Sequence, residues 1–160
     1  YLPIFVSDER EGGLWLAAAS LTILEAAGVA GALLSGTLSD RLGRKRVLLV
    51  LLTAAPILMM AFIYSPAWLA FPLLLLLGFA AISPQPVLLA TVQDQFPDNR
   101  ALANGTYLAL NFLVRAAGIW VVGQFSDAFG LNAAFTTTAV LAFLSIPAVF
   151  FLPKQQPQTV

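Results

Sequence analysis

The chain has 160 residues, 59% hydrophobic and 10% charged, with a mean hydropathy of +0.87 and no formal net charge. A soluble domain carries roughly 25% charged residues, so this composition is that of a membrane protein, and the zero net charge argues against nucleic acid as a partner. Cysteine and histidine are absent, which removes thiol nucleophiles, disulfides and the commonest metal ligand; no cofactor and no metal are expected.

Taken in order, residues 1–13 read as the end of a helix followed by a short acidic loop holding Asp8, Glu9, Arg10 and Glu11. The chain opens at Tyr1 within an apolar run and reads as a fragment of a longer protein, without a cleavable signal peptide. Residues 14–35 are the first complete span, since a bilayer core takes about 20 apolar residues. One charge, Glu25, stands near the middle of that span. Two ladders, Ala27-Gly31-Ser35 and Gly28-Ala32-Gly36, place small residues four apart, where they let a neighbouring helix approach closely.

The stretch from Gly36 to Arg46 holds four of the eight basic residues between two apolar runs. A helix is expected to leave the bilayer at Gly36 and the next to enter near Val47, spanning 47–64 with a kink at Pro56. A Ser65-Pro66 turn leads into the third span, 67–93, which contains Ser83-Pro84-Gln85-Pro86. Each proline deletes a backbone donor, so carbonyls there are left free, either beside a cavity or in a kink packed against protein. After a polar loop at 94–100, the fourth span, 101–122, carries Asn104, Tyr107, Asn111, Arg115 and Gly118 at steps of three and four, on one helical face. The fifth span covers 131–152, with Pro147 near its end, and residues 153–160 form a polar, disordered tail.

Basic residues beside membrane spans are retained on the inside. With the turn at 40–46 inside, the 94–100 loop and the C-terminal tail are inside too. Six cations (Arg41, Arg44, Lys45, Arg46, Arg100, Lys154) then face one outside (Arg10), leaving Arg115 in the membrane. The expected fold is therefore an all-α, polytopic transmembrane bundle in a cell membrane.

The spacing Gly31-x4-Gly36-x2-Ser39-Asp40-x2-Gly43 recurs as Gly118-x4-Gly123-x2-Ser126-Asp127-x2-Gly130, at an offset of 87 residues. Three spans separate the copies, an odd number, so they run in opposite directions through the bilayer. Inverted three-helix repeats are a building plan of secondary transporters.

Gly36, Leu38, Asp40, Arg41, Gly43, Arg44, Lys45 and Leu48 fit G-x-L-x-D-R-x-G-R-[RK]-x-x-L. This resembles the loop signature of the major facilitator superfamily of secondary transporters. The resemblance implies half of that fold, best matched by the end of helix 7 and helices 8 to 12. Pro97-Asp98-Asn99-Arg100 with Gly105, Gly118, Gly123, Asp127 and Gly130 resembles the family's helix 10–11 loop and helix 11, although Ala101 stands where the family usually has glycine. Helices 2 to 6 of the first half follow the same plan and are the alternative. The missing N-terminal half is then an obligatory partner, beside the bilayer, a small solute and protons. The family's loop is a cytoplasmic gate. By that likeness Asp40 is the gating acid, Arg41, Arg44 and Lys45 are the loop's cations, with Arg41 and Arg44 as its ion partners, and Gly36 and Gly43 allow close approach. The same cations also suit anionic lipid head groups.

Glu25 and Arg115 are the candidates for coupling or substrate binding, joined by Gln85, Tyr107 and Asn111. An ionisable group at mid-membrane costs at least roughly 2.5–3.5 kcal/mol on insertion scales, so it faces an aqueous cavity or a partner. A carboxyl leaving water favours its protonated form, which suits Glu25 to proton coupling; Arg115 keeps its charge, which suits it to an anionic group or to pairing with Glu25. The function read from these residues is proton-coupled efflux of a small solute by alternating access, with a passive facilitator or channel-like uniporter as the alternative. An enzyme is not expected, because no nucleophile–base set is present. Nor does any Gly-x4-Gly-Lys-[Ser/Thr] phosphate loop occur.

Overall fold

A computed structural model of the chain describes residues 1–8 and 14–152; most of the acidic loop (Glu9, Arg10, Glu11) and the tail from Pro153 lie outside the described residues. The described residues are helical almost throughout: α1 (Leu2–Asp8), α2 (Leu14–Leu42), α3 (Arg44–Tyr64), α4 (Ala70–Ile82), α5 (Pro84–Gln95), α6 (Arg100–Phe129), α7 (Leu131–Ala142) and α8 (Ser145–Phe150), with single 3-10 turns before α4 and α6. With α4–α5 and α7–α8 each forming one crossing, five segments are long and apolar enough to span a membrane. The fold is the expected all-α bundle.

The helices overrun the expected span ends. The chain does not leave its helix at Gly36; α2 continues to Leu42, and only Gly43 separates it from α3. The reason is conformational. Gly36 is an ordinary helical residue, whereas Gly43 takes φ 91° and ψ 133°, a region essentially reserved for glycine. Gly130, its counterpart in the repeat, does the same between α6 and α7, with φ 85° and ψ 159°.

The two turns match bond for bond. The Gly43 N–H donates to the Ser39 carbonyl at 3.0 Å, and its own carbonyl accepts from Val47 N–H at 3.3 Å. The Gly130 N–H donates to the Ser126 carbonyl at 2.8 Å, and its carbonyl accepts from Ala134 N–H at 3.1 Å. Every one of these residues is displaced by the same 87 positions, so the sequence repeat is a repeat of backbone structure.

Prolines set the interruptions. Pro147 brings no N–H to the Phe143 carbonyl, which accepts from Ile146 at 3.1 Å instead, and the fifth span breaks there into α7 and α8. Pro84 and Pro86 bring none to the carbonyls of Ala80 and Ile82, and the third span breaks at Ser83 into α4 and α5. Around Pro56, by contrast, α3 remains one helix.

Two apolar clusters hold the opposite ends of the bundle. Phe5, Val6, Ala17, Phe62, Ile63, Ala70, Leu74 and Phe135 form one, with the Phe5 ring 4.7 Å from Phe135 and 5.9 Å from Phe62. Val47, Leu48, Leu51, Val87 and Val149 form the other, beside Gly43. Between them α2 lies directly on α4. A Cβ on Gly78 would fall on the backbone of Leu24, one on Gly31 on Phe79 and Ser83, and one on Gly28 on the Ile82 side chain. Ser35 Oγ donates to the Ser83 carbonyl at 2.9 Å across this contact. The small-residue ladders thus work through Gly28, Gly31 and Ser35. Gly36 has nothing within 4 Å, so the close approach expected at it is not made among the described residues.

Candidate functional site

α6 is the least buried of the five spans, packed chiefly on α5 and α7. Its stripe Tyr107, Asn111 and Arg115, one residue per turn, faces α2 and the α4–α5 break across a cavity of about 670 Å³. Glu25 enters this cavity from α2, and Gln85 enters from the first turn of α5. All five residues singled out in the sequence for coupling or substrate binding therefore line one space. The walls between them are apolar, from Val29, Ala81, Ile82, Leu110 and Val114. A second cavity of about 350 Å³ adjoins it and shares Gln85, Tyr107, Asn111 and Arg115, but not Glu25.

The break after Ile82 is what opens α5 to this space. Ser83 and Pro84 are buried, whereas Gln85 is exposed. Asn111 Nδ2 donates to Tyr107 Oη at 3.5 Å, the long limit of a hydrogen bond. Among the described residues no ion pair within 4.0 Å joins Glu25 to Arg115, and neither side chain makes a hydrogen bond, so the pairing considered for them is not formed. Because α2 extends to Leu42, Glu25 sits three residues to the N-terminal side of its centre, about 4.5 Å at 1.5 Å per residue, and Arg115 lies within a residue of the centre of α6.

The second cluster is the charged end around Gly43. Arg44, at the start of α3, is 8% exposed. Its Nη1 lies 2.6 Å from Asp94 Oδ2 near the end of α5, and its Nη2 lies 3.9 Å from Asp40 Oδ1. Arg44 Nε and Nη1 are both buried without a hydrogen bond among the described residues, so Nη1 meets Asp94 as an ion pair and not as an aligned hydrogen bond. Of the two expected ion partners of Asp40, Arg44 is in reach, at the outer limit, and Arg41 makes no ion pair among the described residues. The Asp40 carboxylate is 67% exposed, which leaves it open to groups beyond these helices. Lys45 Nζ donates to the Phe150 carbonyl at 2.9 Å and stands 5.7 Å from that ring's centroid, tying α3 to the end of α8. A cation near a helix C-terminus is electrostatically favoured there.

Sequence reasoning missed Asp94, the nearest acid to Arg44. The signal was present, since Asp94 ends the third span on the same side as the basic turn, but Asp98 stood four residues on with the same credentials.

Apolar spans, a repeat with matched glycine turns and a cavity between helices that carries charged and polar side chains define a polytopic helical membrane protein. The chain matches the family model of the Major Facilitator Superfamily over residues 2–160 and belongs to that family. Over 130 residues it is 33% identical to a protein of Bacillus subtilis (strain 168) named "Uncharacterized MFS-type transporter YfnC". That stretch is 81% of this chain and only 31% of the relative's length. No solved structure gives a significant match.

Proposed function

We propose that this chain is part of a secondary transporter that exports a small solute across the cell membrane by alternating access, driven by proton movement and without an enzymatic step. The observation that supports this best is the convergence of Glu25, Gln85, Tyr107, Asn111 and Arg115, from three helical segments, on one cavity of about 670 Å³. Membrane cavities at broken helices and repeat interfaces are where transporters bind solute and coupling ion. Glu25 is the proton carrier in this scheme, as the one carboxylate that lines the cavity among the described residues. Arg115, permanently charged, holds an anionic group of the solute.

The charged turn is the gate. Asp40 and the cations Arg41, Arg44 and Lys45 lie on the cytoplasmic side with the C-terminus, and the exposed Asp40 engages the remainder of the transporter when that side closes. Arg44 links this loop to Asp94 on α5, so the gate moves with the helix that carries Gln85. The bilayer and an N-terminal half complete the assembly.

The test is accumulation of a diverse panel of small amphipathic solutes by inverted vesicles carrying the intact transporter. At least one solute should accumulate against its gradient, and accumulation should vanish with a protonophore or with Glu25→Gln. Equilibration without accumulation would assign a passive facilitator instead. Accumulation that survives the protonophore would remove proton coupling.

A further inference from the structure

We infer that the cavity takes a dipolar solute, one bearing an ammonium group and a carboxylate on an apolar body; this rests on the reading of the cavity as the transport site. The two charges in the cavity stand on different helices, Glu25 on α2 and Arg115 on α6. They are opposite in sign, too far apart to pair within 4.0 Å, and without other partners among the described residues. Opposite charges inside a membrane protein ordinarily neutralise one another. Held apart across one space, they are two poles awaiting a ligand.

Neutral acceptors and donors line the same space. Part of the wall is the α4–α5 break, where Ile82, which lines the cavity, keeps carbonyl lone pairs that Pro86, lacking an N–H, cannot take up at the regular four-residue step. Those are acceptors, matched to an ammonium. One turn from Arg115 stands Asn111, whose amide adds donors matched to a carboxylate. Leu110, Val114 and Val29 are the apolar walls. The volume falls within the roughly 300–1,000 Å³ of pockets for drug-sized molecules. A purely cationic solute would leave Arg115 opposing it, and a purely anionic one would leave Glu25 without a partner.

The dipolar class also fixes the sign of coupling. An ammonium and a proton compete for the Glu25 carboxylate, so each excludes the other, and solute leaves as the proton enters. A pure anion would instead bind best with Glu25 protonated, and the two would travel together. Exchange is the arrangement that export against a gradient requires.

The experiment uses the purified intact transporter in nanodiscs with 6-aminohexanoate and 8-aminooctanoate as probes, and hexylamine and hexanoate as single-pole counterparts. Binding is read by calorimetry in weak buffer, with proton release followed by a dye. An amino acid of the series should bind at least about 10-fold more tightly than either counterpart, the value of one charge-assisted contact, and should release protons. Glu25→Gln should lower that affinity to the level of hexanoate and abolish the release, and Arg115→Gln should lower it to the level of hexylamine. Hexanoate or hexylamine binding as well as the amino acids, or no binding of either amino acid at millimolar concentration, overturns the dipolar assignment. Proton-driven accumulation of a singly charged solute in the vesicle assay would overturn it too while leaving the transporter reading intact. Absence of proton-driven accumulation for every solute would overturn the proton-coupled reading on which this inference rests.

Discussion

Gly78 offers the sharpest test of how this bundle is held together. A Cβ at this position would overlap the Leu24 carbonyl oxygen and lie 2.8 Å from its carbon and 2.9 Å from the Leu24 Cα. These are backbone atoms of α2 and cannot rotate away, so Gly78→Ala has to push α2 and α4 apart by more than about 1 Å to reach ordinary contact at 3.4 Å. A gap of that size forfeits about half or more of each dispersion contact along the seam, and overpacking of this kind costs about 1–3 kcal/mol. The Ser35–Ser83 hydrogen bond at 2.9 Å is stretched as well, for about 1 kcal/mol. Better helix propensity returns up to about 1 kcal/mol. The net expectation is a loss of about 1–4 kcal/mol. Gly28→Ala meets the Ile82 side chain, whose Cδ1 can turn away but whose Cβ, 2.8 Å off, is fixed by the backbone, and should lose about 1–2 kcal/mol. Gly105→Ala meets nothing within 4 Å and should be neutral or slightly stabilising. Thermal unfolding of the intact transporter in detergent, followed by tryptophan fluorescence, ranks the three. If Gly78→Ala unfolds with Gly105→Ala, the close α2–α4 packing argued here is wrong.

The paired glycine turns should respond alike. Gly43→Ala and Gly130→Ala each impose a conformation reserved for glycine and should cost about 1–3 kcal/mol in the same unfolding assay; asparagine should rescue neither, because ψ of 133° and 159° lies outside the left-handed helical well that asparagine tolerates. Asp94→Asn strands the buried Arg44 and should lower stability by about 2–3 kcal/mol, whereas Asp40→Asn, 3.9 Å away and largely exposed, should cost under about 1 kcal/mol. Asp40→Asn should nevertheless cut transport at near-normal abundance. Normal flux in that variant would take Asp40 out of the gate.

These contrasts mark what was legible in the sequence. The spans and the repeat were, because apolar length and a fixed Gly-Ser-Asp-Gly spacing are properties of the chain itself, and the spacing reappears in matched bonds at Gly43 and Gly130. The gathering of Glu25, Gln85 and the α6 stripe was legible only as a set of polar residues at membrane depth; which faces meet is decided by packing between distant segments. Gly36 misled because a glycine before a charged run looks like a helix end, yet a glycine ends a helix only where its φ leaves the helical well. The partner of Arg44 depended on the register between α3 and α5, which no local pattern encodes.

The central claim is that the space among α2, α5 and α6 is a water-accessible passage for solute. Gln85→Cys and Asn111→Cys, placed singly in the intact transporter with any other cysteine replaced, test it most directly, since this chain contributes no cysteine of its own. An impermeant maleimide should label both, substrate should protect both, and Val50→Cys on the exposed apolar face of α3 should stay unlabelled. Gln85→Cys and Asn111→Cys that remain unlabelled from either side of the membrane, in a protein whose Arg46→Cys labels normally, would contradict the account.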